Sequence, residues 1–138
     1  MAKTICILLA DDDPEDQDIL KDYLLKEDSS LWIHCVLNGK EAISWLKGRP
    51  DEEVPSLIIL DYKMPLLNAI ETLDQLKEEP RYLSIPKVVW STSVQTEHKK
   101  LCLERGAIAY FSKPARTRDL VNLARKMLEI IQPHHDQS

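Results

Sequence analysis

No stretch of this sequence approaches the ~20 consecutive apolar residues that a membrane-spanning helix requires. Its first apolar run, Ile5 to Ala10, meets Asp11, Asp12 and Asp13 before it reaches the length of a signal-peptide core. A membrane protein or an exported one is therefore not expected, and the cytoplasm is. Positive charge is not in surplus either. With a formal net charge of −5 at pH 7, the chain lacks the electrostatic footprint that a nucleic-acid backbone or an anionic membrane surface demands. Neither is an expected partner. Cysteine is sparse and scattered: Cys6, Cys35 and Cys102 are odd in number and far apart, and two of them lie in apolar runs. That excludes a disulfide framework and a metal finger and fits a reducing compartment. Internal repeats and low-complexity tracts are missing too.

What is present is enough apolar material, 43% of 138 residues, for one core of ordinary size. Four short runs rich in Ile, Val, Leu or Trp read as strands: Ile5 to Ala10, Leu31 to Leu37, Leu57 to Leu60 and Val88 to Trp90. A fifth, Ala109 to Phe111, follows Gly106, a helix-stopping residue. Elsewhere apolar residues recur at helical spacing: Ile19, Leu20, Tyr23 and Leu24; Ala42, Ile43 and Leu46; Ile70, Leu73 and Leu76; Leu101 and Leu103; and Leu120, Leu123, Ala124, Met127 and Ile131. Alternation of strand and helix predicts right-handed crossovers and a parallel sheet covered on both faces, which also explains strands that are apolar without alternation. The expected fold class is α/β: a doubly wound, five-stranded parallel sheet with five helices, a flavodoxin-like (β/α)5 arrangement. Asp13-Pro14-Glu15-Asp16 supplies an N-cap, a proline at the first helical position and acids at the positive dipole end, so the first helix should begin at Pro14. The proline-bearing polar stretches 48–56 and 79–86 read as loops. The domain is expected to span residues 1–132, with 133–138 a fraying polar tail.

In an open parallel sheet, ligands bind at the carboxyl ends of the strands near the reversal of strand order. Here the first strand ends in Asp11-Asp12-Asp13, the third in Asp61, the fourth in Ser91-Thr92-Ser93 and the fifth in Ser112-Lys113-Pro114. Clustered carboxylates repel one another unless a cation neutralises them, and a hard divalent ion is the usual solution. Mg²⁺ suits best, because it takes one or two carboxylates, keeps waters and uses phosphate oxygens. The Asp-x-Asp-x-Asp-Gly loop of a calcium site is not there. Lys113 and Ser91 offer the cation and the hydroxyl donor that phosphoryl transfer needs. Asp61, the one acid that follows a buried strand apart from acidic neighbours, is the candidate nucleophile, since a carboxylate accepts a phosphoryl group as an acyl phosphate.

Taken in order, Ile7-Leu8-Leu9-Ala10-Asp11-Asp12, Leu57-Ile58-Ile59-Leu60-Asp61-Tyr62-Lys63-Met64-Pro65 and Ser112-Lys113-Pro114 resemble the signatures of response-regulator receiver domains in two-component signalling, and the resemblance covers essentially the whole chain. It implies a chemotaxis-regulator-like single-domain response regulator with Asp61 as phosphoacceptor. Mg²⁺ would be held by Asp12 directly, Asp11 through a water, Asp61, and the backbone carbonyl of Lys63. Lys113 would grip the phosphoryl oxygens. The interval from Ser91 to Lys113 puts the family's switch hydroxyl on Ser91, with Tyr110 rotating inward as Ser91 moves, and the Lys113–Pro114 bond would be cis. The implied partners are a sensor histidine kinase or a histidine phosphotransfer protein as donor, and a downstream protein that reads the face of the fourth helix, fifth strand and fifth helix. Such a protein is not an enzyme beyond its own phosphorylation and dephosphorylation.

Several positions depart from the family pattern. Lys63 stands where the family often has a small polar residue, and is expected to alter dephosphorylation. The turn after Met64-Pro65 lacks the usual glycine, so Asn68 is expected to take any left-handed conformation needed. Trp90 reads as strand packing, Asp13 as a helix cap rather than a metal ligand, and His98, His134 and His135 as solvated. Two alternatives stay open. A pseudo-receiver would act as a binding surface without phosphorylation, although its mark, loss of the acids, is not seen. A small haloacid-dehalogenase-like phosphatase would find its Asp-x-Asp in Asp11 and Asp13, although the chain is short for the cap domain of most such enzymes. A flavodoxin-like electron carrier would need a phosphate-binding loop of serine, threonine and glycine after the first strand, which is not there.

Overall fold

Each apolar run forms a strand and each periodic segment a helix in the computed structural model, which describes residues 4–131. In chain order the elements are β1 (Cys6–Ala10), α1 (Pro14–Glu27), β2 (Trp32–Val36), α2 (Gly39–Lys47), β3 (Leu57–Asp61), α3 (Ala69–Lys77), β4 (Lys87–Ser91), α4 (Thr96–Glu104), β5 (Ala109–Ser112) and α5 (Thr117–Ile131). Short 3₁₀ turns, Asp51–Glu53 and Pro80–Tyr82, sit in the two proline-bearing loops. The expected tail from 133, with His134 and His135, lies outside the described residues.

All pairings are parallel, in the order β2-β1-β3-β4-β5. Alternate residues of each inner strand serve opposite faces. Ile7, Leu9, Leu57, Ile59, Val88 and Trp90 pack with Leu20 and Leu24 of α1 and Leu123, Ala124, Met127 and Leu128 of α5. Leu8, Ala10, Ile58, Leu60 and Val89 pack with Ala42 and Leu46 of α2, Leu73 and Leu76 of α3 and Cys102 of α4. Both faces of the inner strands β1, β3 and β4 are therefore dry, and their unbroken apolar runs follow from that.

The helices start where short polar side chains meet free backbone N–H groups. The Asp13 carboxylate accepts from the Glu15 N–H at 3.0 Å, the cap expected of it, and α1 begins at Pro14 as its sequence predicts. Asn38 accepts from Glu41 N–H at 2.8 Å while the Glu41 carboxylate accepts from Leu37 N–H at 2.9 Å. Asn68 and Glu71 form a reciprocal capping box at the start of α3. Between these two starts the chains approach closely: Gly39 N–H donates to the Leu67 carbonyl at 3.1 Å, and a Cβ on Gly39 would collide with that carbonyl and with the Thr72 hydroxyl. Only glycine fits there.

The β3–α3 turn corrects one expectation. The left-handed residue is Leu66, at φ 68°, and not Asn68. Asn68 has φ −78° because its side chain is committed to capping α3, which requires extended backbone. The turn after Pro65 thus places a γ-branched side chain, 69% exposed, in a conformation that costs roughly 1–2 kcal/mol for residues other than glycine. Leu66→Gly removes that cost and little packing, so it is expected to raise stability by about 0.5–1 kcal/mol after the entropic cost of glycine is counted. Urea unfolding with an unchanged m-value is the measurement. A fall in the midpoint would mean that Leu66 is held by contacts worth more than its strain.

Candidate functional site

Strand order reverses between β1 and β3, so their carboxyl ends open side by side into a crevice, the place where such sheets hold ligands. Asp11 follows β1 and Asp61 ends β3. Both are buried, Asp11 at 0% and Asp61 at 6% exposure, while Asp12 faces solvent. One carboxylate oxygen from each of Asp11, Asp12 and Asp61 lies within 4.8 Å of the others.

Asp11 is fixed from several sides. Its N–H donates to the Val36 carbonyl at 3.1 Å. Gln17 of α1 donates through Nε2 to the carbonyls of Asp11 at 2.8 Å and of Val36 at 2.6 Å, joining the ends of β1 and β2. Asp11 Oδ1 accepts from Asp13 N–H at 2.9 Å. Its other oxygen accepts from Lys113 Nζ at 2.8 Å.

Lys113 follows β5, whose end is tied to β4 by the Lys113 N–H donating to the Ser91 carbonyl at 2.8 Å. Its ammonium also donates to Asp16 Oδ2 at 2.9 Å, lies 3.5 Å from Asp61 Oδ1, and stands 4.8 Å above the centroid of the Trp90 ring. The Lys113–Pro114 bond is trans, against the cis geometry expected, since no peptide bond among the described residues is cis. Trans is the cheaper isomer by about 0.5–1 kcal/mol, and it already delivers the ammonium to the carboxylates, so nothing at this bend calls for the other.

Electrostatics at the site follow from burial. Loss of water raises the Asp61 carboxyl to about 7, with repulsion from Asp11 adding to it and the Lys113 charge opposing it. Burial also pushes Asp11 up, against the hydrogen bond from Lys113. Burial alone would lower Lys113, but its hydrogen bonds to Asp11 and Asp16 outweigh that and hold it above its ordinary value, so it stays charged. A shallow depression of about 500 Å³ beside the carboxylates is lined by Asp12, Tyr62, Lys63, Met64, Pro65 and Asn68. Three hard oxygen donors, two of them buried and mutually repelling, next to an open depression fit a divalent cation of the Mg²⁺ or Mn²⁺ class.

Of the residues singled out from sequence, Asp11, Asp12, Asp61 and Lys113 come together, and Lys63 lines the depression. Ser91 ends β4 one residue beyond Trp90, which pairs with Asp61. Ser91 is buried, and its Oγ accepts from Ser93 N–H at 3.0 Å. Tyr110 is half-buried against the core, with its hydroxyl donating to the Ser93 carbonyl at 3.1 Å. His98 is not merely solvated: its ring stacks on Tyr62 at 4.2 Å and its Nδ1 lies 2.6 Å from Ser93 Oγ. Sequence reasoning missed Asp16, Gln17 and Trp90. Asp16 carried a signal, as an acid one helical turn after Asp12, but it was absorbed by its helix-dipole role.

Because Asp61 binds its proton more tightly folded than unfolded, the folded state carries the extra proton between its ordinary value of 3.8 and about 7. In metal-free protein the Asp61 contribution to stability therefore falls as pH rises through that window, by up to about 1.4 kcal/mol per pH unit. Asp61→Asn is expected to be the more stable protein, by a margin that widens toward neutral pH. Urea unfolding of both proteins with chelator across the window measures the margin, and one that narrows contradicts the burial argument.

Residues 7–125 match the response regulator receiver domain family. The chain is 31% identical over 122 residues to the two-component response regulator ORR5 of Oryza sativa subsp. japonica, covering 88% of this chain and 87% of that one. Among solved structures, the phosphorylated cyanobacterial phytochrome response regulator RcpA superposes with a TM-score of 0.84 at 24% identity, covering 94% of each chain, and has the same fold. The Mn²⁺-bound form of the response regulator Rcp1 superposes with a TM-score of 0.72 at 25% identity, over 88% of this chain and 90% of that one. With its sheet order, its clustered acids and a family match across residues 7–125, the chain belongs to the response regulator receiver domain family of two-component signalling.

Proposed function

We propose that this chain is a Mg²⁺-dependent phosphorylation switch that accepts a phosphoryl group on Asp61 from the phosphohistidine of a histidine kinase or a histidine phosphotransfer protein. The observation that carries the reading is the buried Asp61 carboxylate, within 4.8 Å of Asp11 and Asp12 and 3.5 Å from a paired ammonium. An oxygen of Asp61 bonds to phosphorus as the P–N bond breaks, the bond pair leaves with the imidazole, and an acyl phosphate remains. Asp61 attacks when ionised, and burial, by raising its proton affinity, opposes that form unless positive charge is added nearby. Mg²⁺ held here would supply this charge and offset that of the phosphoryl oxygens. Asp12, Asp61 and the Lys63 carbonyl would hold it directly. Asp11 would act through a water, with its Oδ2 also accepting from Lys113. Lys113 would neutralise the phosphoryl group, and Lys63, on the rim of the depression, would contact that group or obstruct attacking water and so alter the phosphate's lifetime.

Output follows from Ser91. Rotating its side chain toward a phosphoryl oxygen would carry Oγ away from the Ser93 N–H from which it accepts, and Ser93 also holds Tyr110 through its carbonyl and His98 through its hydroxyl. Tyr110 is in β5 and His98 in α4. The nearby surface exposes Val94, Leu101, Leu103 and Ile108, which suits a downstream protein docking on the α4–β5–α5 face. A cytoplasmic setting accords with the three free cysteines.

Intact mass after incubation with acetyl phosphate tests the reading. One added phosphoryl group is expected in the wild type with Mg²⁺, none with chelator and none in Asp61→Asn. No gain in the wild type would leave the pseudo-receiver reading in its place.

A further inference from the structure

The Lys113 ammonium has three N–H bonds to give, and the structure spends them unevenly. Two go to Asp11 and Asp16 at 2.8 and 2.9 Å, whereas Asp61 receives the ammonium only at 3.5 Å. Asp16 is outside the acidic cluster, in the first turn of α1, and is 30% exposed at its side chain. It pulls Lys113 toward α1 and away from the acceptor. Beneath the ammonium lies the Trp90 ring, with 4.8 Å from Nζ to centroid, in a side chain only 2% exposed. The Trp90 indole N–H is buried without a hydrogen-bond partner. A leucine or phenylalanine would fill strand space without that orphan; what indole adds is the strongest cation-binding face among the side chains.

We propose that Asp16 and Trp90 are positioning residues for Lys113, forming a berth that holds its ammonium off Asp61 at rest and is vacated when Asp61 carries a phosphoryl group. The functional half of this rests on the phosphoacceptor reading; the berth itself does not. A phosphoryl group on Asp61 brings oxygens that compete for the same ammonium, and Asp16 is the competitor that must release it. The berth thus sets how readily Lys113 serves the phosphoryl group, through a residue that touches neither the metal cluster nor the acceptor.

Two readouts test it. In ¹H–¹⁵N spectra, the Trp90 indole peak is assigned by its loss in Trp90→Phe. It is expected to shift in Lys113→Met and, less, in Asp16→Asn, while the peaks of Trp32 and Trp45, which cluster with each other and with Arg49, stay in place. At saturating Mg²⁺, Asp16→Asn is expected to label with acetyl phosphate roughly 5-fold faster than wild type, the upper scale for a partly exposed ion pair. A Trp90 peak unmoved by Lys113→Met or Asp16→Asn overturns the berth, and labelling of Asp16→Asn no faster than wild type overturns its competition with the phosphoryl group. If the wild type takes no phosphoryl group at all, the phosphoacceptor reading fails and the competition with it, while the spectra still decide the resting berth.

Discussion

Asp11, Asp12 and Asp61 bring carboxylate oxygens within 4.8 Å of one another, and burial of two of them denies that repulsion its usual screening by water. One ammonium, Lys113, pairs with Asp11 and Asp61 of the three. Burial raises the proton affinity of Asp11 and Asp61, and Lys113 divides its charge among these two and Asp16.

Much of the surrounding structure serves to hold this arrangement. The parallel order β2-β1-β3-β4-β5 places the acids on neighbouring strand ends and brings the lysine from β5 across β4. Gln17 joins the ends of β1 and β2, and the Lys113 N–H joins β5 to β4, so the charges stand on pinned backbone. Gly39, where a side chain would collide with Leu67, lets α2 approach the β3–α3 turn that carries Lys63 toward the depression. From the other side of the site, Ser93 links the Ser91 hydroxyl to Tyr110 and His98. A local change at one hydroxyl thus has a path of hydrogen bonds to a surface that exposes apolar side chains.

The fold was legible because its signals are local. Five apolar runs, the Asp13-Pro14 helix start and the acids at strand ends each reflect residues acting within a few positions, and alternation of strand with helix gives the parallel sheet. Asp61, Asp11, Asp12 and Lys113 were legible for the same reason, as residues at strand ends. What stayed hidden depends on which side chain claims a partner. Asn68 was free to take the left-handed turn until the α3 cap claimed it, and the strain fell on Leu66. His98 looked solvated because stacking on Tyr62 joins α4 to a distant turn. Trp90 and Asp16 read as packing and helix dipole, since the lysine that unites them lies far along the chain.

Burial, with repulsion from Asp11 added to it, holds the Asp61 carboxyl up at about 7, where a bound cation is expected to displace its proton. Calorimetric titration of the wild type with Mg²⁺ near pH 7, in two buffers of different ionisation enthalpy, counts the protons released on binding. The account predicts one ion bound per chain with release of roughly half a proton, and loss of that release in Asp61→Asn. Mg²⁺ binding without proton release, or release that persists in Asp61→Asn, would contradict it.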